Sequence, residues 1–90
     1  MELFSRINDG IGPFLKTLNP IEKAVIKLLA VNGCSLKEVA LRIDRTYKAT
    51  EHIVSHITSK YRKFYPEEKQ ASLRRILNRA ARYYGEIEDD

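Results

Sequence analysis

His52, Ser55 and His56 stand close together in the chain, and Lys48, Lys60 and Lys63 flank them on both sides. At the roughly 100° that each residue turns in an α-helix, all six share one face with Ala49 and Ser59. Tyr47, Thr50, Val54, Ile57 and Tyr61 form the opposite, core-facing side. Imidazole and hydroxyl groups can donate and accept hydrogen bonds, so they can bond base edges or phosphates, and an alanine methyl can touch a thymine methyl. Lysines attract phosphate but carry no sequence information. Ala49, His52, Ser55 and His56 are therefore candidate base contacts. Arg45, Thr46, Lys48, Ser59, Lys60 and Lys63 are candidate phosphate contacts.

Other chemistries fit less well. His52 and His56 have the i, i+4 spacing of metal ligands, but Glu51 precedes the first histidine and no Cys/His cluster joins them. No metal site and no cofactor are expected. Cys34 is the sole cysteine, which excludes an intramolecular disulfide and suits a reducing compartment. It has no basic neighbour in sequence that would make it a nucleophile, so a small helix-boundary residue is expected. With no Gly-rich phosphate loop and no nucleophile–base pattern, the chain is not expected to be an enzyme.

The elements that must position these residues all read as helices. Asn19, Pro20 and Glu22 form a helix start with a capping-box pattern, followed by an apolar face of Ile21, Ala24, Val25, Leu28 and Leu29. Asn32-Gly33 ends it. Ser35 and Glu38 make a second capping box, opening a short helix to about Ile43 with Leu36, Val39, Ala40 and Ile43 inward. Asp44 and Arg45 form a turn. Thr46 caps a long helix from Tyr47 to about Phe64, stopped by Pro66. A last helix is expected directly after Pro66, with Glu67 and Glu68 in its first turn and Gly85 at its end. Its apolar stripe is Leu73, Ile76, Leu77, Ala80 and Tyr84, opposite Arg74, Arg75, Asn78, Arg79 and Arg82. Residues 1–18 read as a lead with one short helix near residues 2–8, then an irregular segment that lays Phe14 or Leu18 on the body. The expectation is an all-α domain of four to five helices with a helix-turn-helix core at 19–85 and an acidic tail at 86–90. The short helix, the tight turn and the long helix place the outward residues of the latter where a major groove would receive them.

Ninety residues suit one domain, and the net charge of +4 is unevenly spread. Residues 1–34 carry +1, 35–65 carry +4, 66–84 carry +3 and 85–90 carry −4. A basic body suits a polyanionic partner, because Lys and Arg at phosphates release condensed counterions. No run approaches the ~20 apolar residues of a membrane span. Cytoplasmic residence without membrane association is expected.

The segment Leu18-Asn19-Pro20-Ile21-Glu22 resembles the L-T-P-x-E opening of the LuxR/GerE-type DNA-binding domain. Ser35 to Ala40 is similar to that family's S-N-K-E-I-A, and Val54-Ser55-His56-Ile57 to its V-S-N-I. The resemblance covers roughly residues 18–61. The Lys-Glu-Val-Ala element also occurs in sigma-factor region-4-like modules. The family usually has Gly where this chain has Asp44 and an apolar residue at Arg45; Glu51 stands where a basic residue is common and Ile53 where His is.

The resemblance implies that the positions of Glu51, His52 and Ser55 point into the groove, which adds Glu51 to the base-contact candidates. Glu51 would accept from a cytosine amino group, pair with Lys48 or a neighbouring basic residue, or repel phosphate. The resemblance also implies a homodimer through the last helix, by Leu73, Ile76, Leu77, Ala80 and Tyr84; core filling is the competing role for that stripe. Two functions follow. One is a sequence-specific regulator of transcription that binds double-stranded DNA. No receiver domain fits in 18 residues, so its control would come from expression level, a partner or the lead itself. The other is a protein-interaction module that binds another regulator or RNA polymerase.

Overall fold

The sequence has its strongest local signals at helix starts, and all three expected caps form. In the computed structural model, which describes residues 11–88, Asn19 Oδ1 accepts the Glu22 N–H at 2.9 Å. Glu22 Oε1 in return accepts the Asn19 N–H at 3.0 Å. This box starts the helix Pro20–Ala30. Ser35 and Glu38 make the reciprocal pair at 3.2 and 2.8 Å and start Leu36–Arg42. The Thr46 hydroxyl accepts the Ala49 N–H at 3.0 Å and starts Tyr47–Phe64. Each contact satisfies a donor that the helix itself leaves open, worth roughly 1 kcal/mol apiece.

Among the described residues there are five α-helices and no strand: α1 Ile11–Lys16, α2 Pro20–Ala30, α3 Leu36–Arg42, α4 Tyr47–Phe64 and α5 Leu73–Glu88. The fold is all-α. The helix expected near residues 2–8 lies outside the described residues.

Three expectations are corrected. The segment after Gly10 is helical, not irregular. Pro13 sits in the first turn of α1, where its missing N–H costs nothing, and Ile11, Phe14, Leu15 and Leu18 form one buried stripe. Gly12 lets this helix press against the body; a Cβ there would stand 3.0 Å from the Tyr83 ring. The last helix does not begin at Pro66. Pro66–Glu68 is a single 3-10 turn, and α5 starts at Leu73, where the Ser72 hydroxyl accepts the Arg75 N–H at 3.3 Å. Glu68 is turned inward to Tyr61 and Arg79, and Arg62 holds the intervening segment through the Ala71 carbonyl at 2.8 and 3.1 Å. At the other end α5 runs through Gly85 to Glu88 instead of stopping there.

The core joins all five helices. Phe14, Val25, Ile26, Val39, Ile57, Tyr61 and Ile76 are fully buried, each worth about 1.5–3 kcal/mol of transfer free energy for its side chain. Phe14 meets the Tyr61 ring edge-on at 5.3 Å, and Tyr65 stands 4.7 Å from Tyr61. These rings fix the C-terminal half of α4 on α1. Tyr47, expected in the core, is instead 49% exposed. It lies in the first turn of α4, before the helix meets the body, and Thr50 is the first side chain there to be fully buried.

Between α3 and α4 the chain reverses at Asp44, whose φ is +59°, the only positive value at a non-glycine among the described residues. The Arg45 N–H bonds the Ala40 carbonyl at 2.9 Å, so the turn is held from α3. Aspartate tolerates this region better than most residues, and a β-branched one poorly. Asp44→Gly is expected to be neutral or stabilising and Asp44→Val to cost about 1–2 kcal/mol in chemical denaturation. Equal midpoints for the two variants would contradict this geometry.

Candidate nucleic-acid interface

The helical wheel of α4 divides as its sequence suggests. Thr50, Ile57 and Tyr61 are buried, Ile53 and Val54 half-buried, while Lys48, Glu51, His52, Ser55, His56, Ser59 and Lys63 are exposed. Ala49 is half-buried at the edge of this face, and Arg45 and Thr46 are exposed just before it. The Thr46 oxygen holds the Ala49 N–H, and its own hydrogen remains able to meet a phosphate oxygen. No ion pair joins Glu51 to Lys48 among the described residues, so of its three expected roles the intrahelical pair is not formed.

The site extends beyond α4. His52, Ile53, Ser55, His56 and Ser59 line an open concavity of about 550 Å³ together with Asn19, Ile21 and Glu22 from the start of α2. The sequence assigns Asn19 and Glu22 to a cap and Ile21 to an apolar face, and none of them to this concavity. Glu22 is 2% exposed, and besides the Asn19 N–H it accepts from Lys60 Nζ at 2.9 Å. His56 Nδ1 stands 3.5 Å from its other oxygen. Burial pushes the Glu22 carboxyl up, but the hydrogen bonds from Lys60 and Asn19 and the charge of Lys60 outweigh it and hold it below the ordinary value of 4.5. Lys60, expected at a phosphate, is thus committed to a carboxylate inside the protein. Among the described residues Lys48 and Lys63 have no such partner.

The stripe Leu73, Ile76, Leu77, Ala80 and Tyr84 is likewise divided. Ile76, Ala80 and Tyr84 are buried in the chain's own core, so core filling takes them from the expected dimer face. Leu73 and Leu77 are half-buried and, with Leu29, Ala30 and Ala81, line a groove of about 370 Å³ between α2 and α5.

Behind α4 a second polar network forms. The Tyr61 hydroxyl donates to Glu68 at 2.8 Å and accepts from Arg79 at 2.5 Å, and Arg75 reaches Glu68 at 2.7 Å. Hydrogen bonding from Arg75 holds the Glu68 carboxyl below its usual range, although partial burial opposes it. Burial, then the bond to Glu68, raises the Tyr61 phenol.

Comparison with protein-family models, with curated proteins and with solved structures gave no match. Among the described residues no group of three or more His, Cys, Asp or Glu side chains could hold a metal ion, and no helix is long and apolar enough to cross a membrane.

Proposed function

We propose that this chain is a cytoplasmic helix-turn-helix regulator of transcription that binds double-stranded DNA through α4, by binding and not by catalysis. The observation that carries the proposal is the exposed outer face of α4, where His52, Ser55 and His56 sit between the cations of Arg45, Lys48 and Lys63. Hydrogen-bonding groups framed by cations are what base readout with backbone anchoring requires. The resemblance of residues 18–61 to the LuxR/GerE-type domain supports the same assignment. A homodimer would use Leu73, Leu77 and Ala81 with the end of α2, in place of the wider stripe.

A second function, docking on another regulator or on RNA polymerase, is favoured by one specific feature. Leu41 on α3 is 82% exposed and Tyr47 on α4 is 49% exposed, both in the helix-turn-helix itself. Large exposed apolar side chains are the anchors that protein interfaces use.

The test is a set of alanine variants measured on a selected duplex and a scrambled one. His52→Ala and Ser55→Ala should each cost about 1–2 kcal/mol on the selected site, because single hydrogen bonds fall in the lower part of the range for base contacts. Neither should change affinity for scrambled DNA. Equal losses on both duplexes overturn the base-reading assignment, and absence of duplex binding overturns the DNA proposal.

A further inference from the structure

We propose that Glu22 is a positioning residue for His56. It holds the proton of the neutral imidazole on Nδ1 and leaves Nε2 bare. His56 then accepts from an exocyclic amino group of adenine or cytosine in the DNA site, an assignment that rests on the α4 reading above. The two oxygens of the Glu22 carboxylate, whose side chain is only 3% exposed, are used differently. Oε1 accepts from the Asn19 N–H at 3.0 Å and from Lys60 Nζ at 2.9 Å. Oε2 accepts no hydrogen bond among the described residues, and the group paired with it is His56 Nδ1 at 3.5 Å.

Electrostatics decides which ring nitrogen carries the proton. Against burial, the hydrogen bonds from Lys60 and Asn19 hold the Glu22 carboxyl below its ordinary value, so Oε2 belongs to an anion at neutral pH. An N–H dipole aimed at that oxygen is attracted and a lone pair is repelled. The 3.5 Å separation is too long for a strong hydrogen bond, but a nearly buried carboxylate acts through little screening solvent. The partner of one imidazole nitrogen sets the state of the other. Nε2, across the ring, makes no hydrogen bond among the described residues. The His56 side chain is 67% exposed and lines the concavity shared with His52 and Ser55. A bare imidazole nitrogen accepts and cannot donate. In a major groove it pairs with the amino group of adenine or cytosine, and it is repelled by the acceptors of guanine. His52 forms no ion pair with a carboxylate among the described residues, so its tautomer is not set in this way.

Glu22→Gln reverses the arrangement. The Asn19 N–H keeps the amide oxygen in the place of Oε1, which turns the amide NH2 toward Nδ1. A donor there takes the Nδ1 lone pair and moves the ring proton to Nε2, which then donates. His56 is thereby expected to exchange an amino-bearing base for guanine.

The test uses the full chain at about pH 8.5, above the range in which imidazoles ordinarily titrate, and reads the ring nitrogens by long-range proton–nitrogen NMR. In the wild type without DNA, His56 should show a protonated Nδ1 and a bare Nε2. In Glu22→Gln the major form should be the reverse, while His52 stays the same in both. Duplex affinity is then measured on the selected site, with each adenine or cytosine replaced in turn by the analogue that lacks the amino group. At one position the loss should be about tenfold for the wild type and under about twofold for His56→Ala. With guanine at that position, Glu22→Gln should bind at least ~threefold better than the wild type. A wild-type His56 with a bare Nδ1 overturns the inference without any variant having to fold, and duplex binding by that same chain leaves the α4 reading standing. The expected tautomer in a chain that binds no duplex overturns the α4 reading and upholds the role of Glu22. Duplex binding in which no amino group couples to His56 overturns the base assignment.

Discussion

Replacing Lys60 with alanine should destabilise the fold by about 3 kcal/mol while leaving the affinity of the folded protein for DNA nearly unchanged. The size of the effect follows from which partner is left behind. Glu22 is buried, and without Lys60 its carboxylate keeps the Asn19 N–H and a longer approach to His56. A buried charge stripped of its ion-pair partner costs several kcal/mol; the Lys60 side chain is 32% exposed, which places this case at the low end. Glu22→Gln leaves Lys60 free to turn to solvent and should cost less. Urea titration of both variants and of the double variant measures the coupling. A loss below about 1 kcal/mol, of the size of a surface ion pair, together with weakened DNA binding would return Lys60 to the phosphates. The pair also has a pH signature. Because the folded-state carboxyl of Glu22 lies below its ordinary 4.5, its contribution is present above that pH and is lost as pH falls through the depressed value. Glu68 is lowered in the same sense. Glu22→Gln should therefore flatten part of the acid limb of the stability curve.

What the sequence makes legible here is chemistry closed within a few residues. The boxes at Asn19/Glu22 and Ser35/Glu38, the Thr46 cap and the demanding turn at Asp44 depend on contacts three or four positions apart, and composition reveals them. The outward face of α4 follows from helical period alone. The Glu22–Lys60 pair joins residues 38 apart and depends on how α2 packs against α4, which no local pattern encodes. For the same reason the period of α5 marks an apolar stripe without saying what covers it, and Ile76, Ala80 and Tyr84 prove to be covered by their own chain. The errors at α1 and at the start of α5 have another cause. Gly12, Pro13 and Pro66 count as breakers or starts by type, and their effect depends on where in a helical turn they fall.

Duplex affinity should fall by more than three orders of magnitude between about 50 and 200 mM salt if the protein binds as a dimer, and by roughly 40-fold if it binds as a monomer. The charge count behind these figures differs from the sum of basic residues on α4 and α5. Lys60 is held by Glu22, and Arg79 of α5 bonds Tyr61, nine residues and so about half a turn round α4 from His52, so neither is counted toward the duplex that α4 reads. Arg45, Lys48 and Lys63 remain, exposed on or beside the face that carries His52 and Ser55. Three phosphates neutralised per subunit give a log–log slope near −2.7, and about −5.4 for two subunits. The measurement is anisotropy with limiting selected duplex across a salt series, where the tightest contact alone is populated. Lys63→Gln should reduce the slope by about 0.9 per subunit, while Lys60→Gln should leave it unaltered. A slope near −3.6 from a protein shown to bind as a monomer would mean that Lys60 leaves Glu22 for phosphate on binding, and one near −5 that α5 arginines share the same duplex. The Lys60→Gln variant separates the two, since only the first alternative lets that substitution change the slope.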